Sequence, residues 1–259
     1  MVQDLHHCGV GAKAKVRYLA TQLMIYETAV PVSRNRHADC WVEVGTDYTF
    51  CRNVNSVPLM AVEFPSAASE YAIVLGGTGD VVMPVAVLGV RPDQNLYVTS
   101  QGGWDAKYVP AFVRRYPFVF FSRGNGGTST LCIDEAFPGF NRDGRGQRLF
   151  GDDGKPTAYV ANVLKFLQQY QSEFQRTEAL CKKMKELNLL EPMQAQITFD
   201  FGERIALGGF SVVNRARLKT LSADVLAQLV QSDDLELIYT HLLSLPNFAK
   251  VRDRLAEAK

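Results

Sequence analysis

The pattern of hydrophobic and polar residues predicts short strands in the first half of the chain. Between Leu23 and Ile133, compact runs rich in β-branched and aromatic residues alternate with turns. The predicted strands are Cys40–Val44, Tyr71–Leu75, Val81–Val90, Leu96–Thr99, Phe118–Phe121 and Leu131–Ile133. Two short helices are predicted among them, one within Leu59–Ser69 and one over Tyr108–Arg115. The second ends before Pro117, because proline disfavours helical geometry in the residue that precedes it.

The second half of the chain has a different periodicity. Apolar residues recur every three or four positions from Thr157 to about Leu187, which predicts a long helix, either continuous or broken near Ser172. Strict alternation from Met193 to Phe201, followed by a partner run from Ile205 to Val213, predicts a β-hairpin whose Gly-Gly pair marks either a bulge or a close backbone approach. Helical patterns resume after the hairpin, with Ser222 and Asp233 as the predicted N-caps.

This order of elements predicts an α+β fold. We expect a mixed, largely antiparallel sheet in the N-terminal half, with the long helix, the hairpin and the C-terminal helices packed against it. Residues 1–22 show weak periodicity and are predicted to be a poorly structured tail, while residues 23–259 form one domain. The polar, glycine-rich connector at 138–156 is the place where an internal boundary could fall.

Composition narrows the class of protein. Hydrophobic residues make up 47% of the 259 residues, enough to build a substantial core, and the net charge is +1. Near-neutrality argues against broad electrostatic capture of nucleic acid or of an anionic membrane. No apolar run approaches the ~20 residues that span a bilayer, and the start of the chain lacks the apolar core of a secretory signal. The five cysteines are odd in number and form no CxxC pair, which predicts reduced thiols in the cytoplasm.

Several dispersed strings carry a resemblance to a known family. They are NSVPL at 55–59, EFP at 63–65, PVAVLG at 84–89, NLYV at 95–98, WDAKYVP at 104–110, RRYPF at 114–118, GFSVV at 209–213 and HLLSL at 241–245. Through them the chain resembles the SapC-like family of bacterial proteins from about Tyr26 to its end. The resemblance implies an accessory role connected with the cell surface, in surface-layer assembly or beside outer-membrane receptors. It brings no established catalytic site.

One aromatic and basic segment is the candidate partner-binding surface. It combines two guanidinium groups with three aromatic rings, and its members are Trp104, Tyr108, Phe112, Arg114 and Arg115. Trp, Tyr and Arg dominate the energetic centres of protein interfaces, which predicts that a protein or peptide binds here. In the other interpretation the aromatic residues anchor a helix on the sheet, and one arginine pairs internally with Glu63 or Asp134.

Catalytic alternatives rest on few residues. His37 and Asp39 form an HxD pair that, with His241, could hold Fe(II) in an oxygenase, with 2-oxoglutarate bound by Arg114 or Arg115. The helical pattern around His241 argues against the strand that such an oxygenase uses. Other candidate groups are the carboxylates Glu63, Asp134 and Glu135 and the thiols Cys51 and Cys132.

The leading hypothesis is therefore a non-catalytic accessory protein without a cofactor, which binds a protein or peptide partner. One alternative is the Fe(II)- and 2-oxoglutarate-dependent oxygenase. Another is a small-molecule-binding module with a pocket between the sheet and the helix that starts near Thr157. The sequence leaves the oligomeric state open.

Overall fold

The computed structural model describes residues 24–78, 81–122, 129–198 and 204–257. The predicted N-terminal tail, Cys8, the turn at 79–80 and the hairpin tip with Phe199 and Phe201 lie outside the described residues.

The predicted α+β class is confirmed. The strands are β1 (Ala29–Pro31), β2 (Trp41–Val42), β3 (Ser56–Pro58), β4 (Ile73–Thr78), β5 (Val81–Val87), β6 (Phe118–Ser122), β7 (Ser129–Asp134), β8 (Phe140–Asn141), β9 (Gln147–Arg148), β10 (Leu190–Thr198) and β11 (Arg204–Val213). The helices are α1 (Arg34–His37), α2 (Phe64–Ala67), α3 (Ala111–Arg114), α4 (Ala158–Glu186), α5 (Arg215–Lys219), α6 (Ala223–Gln231), α7 (Asp234–Ser244) and α8 (Phe248–Glu257). Short 3-10 turns cover Thr49–Cys51, Ala61–Glu63 and Leu245–Asn247. Among the described helices, none has both the length and the apolar character that crossing a membrane requires.

Antiparallel sheets organise these strands. In the part of the chain that the structure describes, the largest sheet has five strands in the order β10-β11-β4-β5-β3. It joins the two halves of the sequence, because β11 pairs with β4 at Phe210↔Gly76 and Ser211↔Leu75. A second sheet has the order β1-β7-β6, and a small third sheet, β8-β2-β9, draws two of its strands from the segment predicted as a polar connector.

The long helix α4 is continuous from Ala158 to Glu186, so it has no break near Ser172. At 1.5 Å per residue it is about 44 Å long. Its first half packs on β6 and β7, where Val160 and Leu167 join the cluster around Phe118. Its second half packs on the five-stranded sheet through Leu180, Cys181 and Met184. One helix therefore braces two sheets.

The hairpin β10–β11 carries the predicted bulge. The pair Met193↔Phe210 is followed by Ala195↔Leu207, which leaves one extra residue on β11. Gly209 takes φ +84°, a backbone conformation that favours glycine. Along β10, Met193 and Ala195 turn towards the interior while Gln194 and Gln196 are exposed, as the alternation predicted.

Several local predictions change in the structure: the strand predicted at Cys40–Val44 is confined to Trp41–Val42, and the side chain of Asp233 makes no capping hydrogen bond. Leu96–Thr99 is not a strand, because its backbone groups are used in loop contacts: Leu96 N–H donates to the Leu88 carbonyl at 2.8 Å, and Tyr97 N–H donates to Asn95 Oδ1 at 2.9 Å. The predicted helix at Tyr108–Arg115 shrinks to α3, because Pro110 occupies its N-cap in an extended conformation.

Candidate functional site

The aromatic and basic segment divides between the interior and the surface. Trp104 is half-buried, and its indole Nε1–H donates to Tyr71 Oη at 2.8 Å. Its ring packs against Tyr97 at 6.2 Å and Tyr48 at 5.5 Å between centroids. Trp104 therefore belongs to an internal aromatic cluster and presents part of its surface to solvent.

Phe112 and Arg115 lie inside the protein. Phe112 is fully buried, and Arg115 keeps 3% of its surface exposed. The Arg115 guanidinium carbon lies 4.3 Å from the centroid of Phe112, 5.0 Å from that of Tyr170 and 5.7 Å from that of Tyr26. Cation–π attraction of this kind strengthens when the site is desolvated. In this structure neither residue is accessible to a partner.

Tyr108 and Arg114 are the members of the segment that face outwards. Arg114 is exposed, and Tyr108 is half-buried. Arg114 Nε–H donates to the Val109 carbonyl at 2.9 Å, and Nη2–H donates to Tyr108 Oη at 3.3 Å. The guanidinium lies over the rings of Tyr108 and Phe166, at 5.7 and 5.6 Å from their centroids. We call Tyr108, Arg114 and Phe166 the Arg114 surface.

Buried Glu63 supports this surface from below. Its Oε1 accepts hydrogen bonds from the Tyr108 hydroxyl at 2.8 Å and from Ala111 N–H at 2.7 Å, and its Oε2 accepts one from Met60 N–H at 2.8 Å. Burial raises the pKa of the Glu63 carboxyl, against the opposite effect of these donors. Since Ala111 is the first residue of α3, Glu63 fixes the start of the helix that ends in Arg114.

The residues of the iron-site hypothesis do not converge. His37 is buried, with Nε2 3.1 Å from Glu135 Oε1, whereas Asp39 is exposed and pairs with Arg142. His241 lies in α7, with Nδ1 2.9 Å from the Ile73 carbonyl and Nε2 accepting Val213 N–H at 3.1 Å. Across the described residues, no group of three or more His, Cys, Asp or Glu side chains could hold a metal ion. The iron-site hypothesis is not supported, because each imidazole is already held by its own protein partners.

The remaining acid–base candidates also make structural interactions within the protein. Buried Asp134 accepts hydrogen bonds from three backbone N–H groups, those of Glu27, Thr28 and Ala136. Glu135 forms an ion pair with Arg36 at 2.6 Å, which holds the pKa of the Glu135 carboxyl below its usual value.

The candidate thiols are also held within the fold. Burial raises the pKa of Cys51 to about 12 and also raises that of Cys132. Neither thiol is therefore primed as a thiolate nucleophile.

A groove runs between the second half of α4 and the start of β5. Its volume is about 680 Å³, and it is lined by Val81, Val82, Gln175, Glu178, Ala179, Cys181, Lys182, Lys185 and Glu186. A pocket between the sheet and the long helix was one of the alternatives that the sequence left open, and the groove lies between those elements. Its position is the C-terminal half of the helix, far from Thr157.

Comparison with protein families gives one result. A sequence model of the SapC family matches residues 32–251, which is most of the chain. The chain belongs to the SapC family. Neither among curated proteins nor among solved structures was a significant match found. The strings that carried the resemblance include Glu63, Trp104, Tyr108 and His241, and in this SapC family member these side chains make the hydrogen bonds described above.

Sequence reasoning missed Phe166, the second ring under Arg114. Phe166 is one more apolar position in the repeat of α4. Periodicity alone does not tell which apolar residue at the edge of the buried face of a helix remains half-exposed.

Proposed function

We propose that this SapC family member is a non-catalytic accessory protein that binds a protein or peptide partner through the Arg114 surface. The observation that carries the proposal is an exposed guanidinium held in a fixed orientation over two aromatic rings. Such a group combines directional donors with rigid apolar area, the combination that dominates binding hot spots. We place this role in the cytoplasm, as the reduced thiols predict. We expect the partner to come from a cell-surface system, as the family resemblance implies.

The state of the polar interior supports binding over catalysis. Glu63, Asp134 and His241 are buried, and their hydrogen-bonding atoms are occupied by backbone and side-chain groups. A general base must reach the proton that it abstracts, and a nucleophile must be accessible to its substrate. In this SapC family member these groups hold strands and helices together.

The experiment compares the partner proteins that co-purify with the wild type and with three variants. Wild-type protein and Arg114→Ala, Phe166→Ala and Arg252→Ala variants are expressed with an affinity tag in the native host and cross-linked, and the recovered proteins are quantified by mass spectrometry. Arg252 is a matched control, because it is exposed on α8 and its salt bridge joins it to Asp253. We expect Arg114→Ala and Phe166→Ala to lose the same partner at least tenfold, while Arg252→Ala keeps it. Equal recovery by all four proteins would rule out this surface as the binding site.

The groove along α4 favours a second function, the binding of a small molecule. Its volume of about 680 Å³ falls within the range of drug-sized ligand pockets, about 300–1,000 Å³. A ligand that binds only the folded state raises Tm. We therefore expect a metabolite library to contain compounds that raise the Tm of the wild type, and Ala179→Trp, which fills the groove, to abolish the shift. Ala161→Trp on the same helix is the control. A library without any stabilising compound would contradict this function.

A further inference from the structure

The donors of Arg114 are only partly used. Nε–H and one Nη2–H donate to the Val109 carbonyl and to Tyr108 Oη. Nη1 donates to no acceptor among the residues that the structure describes, and Arg114 forms no ion pair with any of them. The outer edge of the guanidinium, formed by Nη1 and the second Nη2–H, therefore has no acceptor within the described part of the chain. That edge matches the two oxygens of a carboxylate, because paired parallel N–H groups are the preferred partner of this anion.

The guanidinium is held in place before any partner arrives. Its plane is fixed by the Val109 carbonyl on one side and by the rings of Tyr108 and Phe166, and Tyr108 is itself tied to buried Glu63 at 2.8 Å. A side chain that is already ordered loses less conformational entropy on binding. The geometry therefore favours a ligand that accepts two hydrogen bonds in one plane over a diffuse cloud of counterions.

The segments that form this surface carry exposed cations. Exposed Lys107 and Lys165 precede Tyr108 and Phe166 in the chain, and neither forms an ion pair with another described residue. Glu63, the carboxylate joined to this network, is turned inwards and keeps 4% of its surface exposed. Although the whole chain has a net charge of +1, the exposed cations Lys107, Arg114 and Lys165 all lie on the two segments that form the Arg114 surface. Charge complementarity calls for an acidic partner.

The same surface offers apolar contact area. Half-buried Phe166 packs beside Met83 and Phe174 against the cluster of Met60, Ala111 and Tyr170. Resting on the proposed function, we infer that the partner presents an acidic side chain next to an aromatic or aliphatic one. The carboxylate pairs with the outer edge of Arg114, and the apolar side chain packs on Phe166.

The inference is tested by selection from a library of short random peptides displayed on phage. The full-length wild type, Arg114→Gln and Arg252→Gln are used as baits. We expect the wild type and Arg252→Gln to enrich peptides in which Asp or Glu adjoins a large apolar residue, and Arg114→Gln to lose that enrichment. The best peptide is then titrated beside its amide analogue, in which Gln or Asn replaces the acid. The analogue should bind about 10- to 100-fold more weakly, because one charge-assisted bidentate pair is lost.

Other outcomes would overturn the inference. Enrichment without acidic residues, or equal affinity of acid and amide peptides, would show that Arg114 does not receive a carboxylate. Displacement of the acidic peptide by a short single-stranded RNA at equal concentration would indicate a general anion site. The two proposals fail separately. If Arg114→Ala loses the native partner but no acidic peptide is selected, the partner chemistry is wrong and the binding surface stands. If the native partner is retained, the surface itself is wrong.

Discussion

Arg114 and Arg115 are neighbours in the chain and occupy opposite environments. Arg115 is buried among the rings of Phe112, Tyr170 and Tyr26, whereas Arg114 is exposed and lies over Tyr108 and Phe166. Both guanidinium groups contact aromatic faces. The comparison shows that the same contact stabilises the fold where water is excluded and leaves donors available for recognition where water has access.

The two environments meet at Glu63. This buried carboxylate accepts a hydrogen bond from Ala111 N–H, at the start of the helix, and from Tyr108, which in turn accepts one from Arg114. The position of the surface arginine therefore depends on interior hydrogen bonds. We expect substitutions at interior residues to change the free energy of unfolding far more than substitutions at surface residues, and the following variants test that difference.

The largest effect is expected from Arg115→Ala. The substitution removes a buried cation from three aromatic rings and leaves a cavity, so we expect the free energy of unfolding to fall by about 3–5 kcal/mol. Urea denaturation monitored by circular dichroism measures this change. Arg115→Lys keeps the charge but loses the planar group, and should fall between the wild type and Arg115→Ala. A loss below about 1 kcal/mol, the level of an ordinary surface site, would contradict a structural role for Arg115.

The next effect is expected from Glu63→Ala. It leaves the N–H groups of Met60 and Ala111 and the Tyr108 hydroxyl without their acceptor. Unsatisfied buried donors cost about 1–3 kcal/mol each, and partial rearrangement reduces the sum, so we expect a loss of about 2–4 kcal/mol. Because Tyr108 is released, peptide binding at the Arg114 surface should weaken as well. Unchanged stability would mean that water replaces the carboxylate and that interior and surface are not linked through Glu63.

The sequence predicted where most helices and strands lie. It did not predict which side chains of those elements are buried and which are exposed. The three- and four-residue repeat of α4 and the Gly208-Gly209 bulge could be predicted because each depends on local periodicity or backbone freedom. The orientation of Arg114 and Arg115 could not. Consecutive residues of a helix point about 100° apart, and only the distant partners Tyr170 and Phe166, contributed by α4, decide which arginine is enclosed.

The iron-site hypothesis failed for a related reason. His37 and Asp39 are close in sequence, but the first turns inwards to Glu135 and the second outwards to Arg142. A two-residue spacing in a short helix and its flanking turn does not bring side chains to one point. The partners of His241, the Ile73 carbonyl and Val213 N–H, lie 168 and 28 residues away, so no local pattern could reveal them.

A smaller, pH-dependent effect is expected at His241. Burial lowers its pKa to about 4, whereas an unfolded histidine titrates near 6.5. As the pH falls below about 6.5, the histidine binds a proton in the unfolded state but stays neutral in the folded state. The free energy of unfolding therefore decreases between about pH 6.5 and 4, by up to ~1.4 kcal/mol per pH unit. His241→Gln lacks this contribution. The difference in unfolding free energy between wild type and variant should therefore shrink from pH 7 to pH 5, and a constant difference would contradict a neutral, buried His241.

The smallest effect is expected from Arg114→Ala, and it decides whether the comparison holds. An exposed cation–π contact contributes about 0.5–1 kcal/mol, and the hydrogen bonds of Arg114 can be replaced by water, so we expect a loss of unfolding free energy within about 1 kcal/mol. A double-mutant cycle with Phe166→Ala, measured by urea denaturation, should give a coupling energy of similar size. Loss of the partner with unchanged stability would mark Arg114 as a recognition residue, whereas a loss of stability comparable to that of Arg115→Ala would make both arginines part of the core. The surface would then have no independent role, since any loss of binding would follow from unfolding.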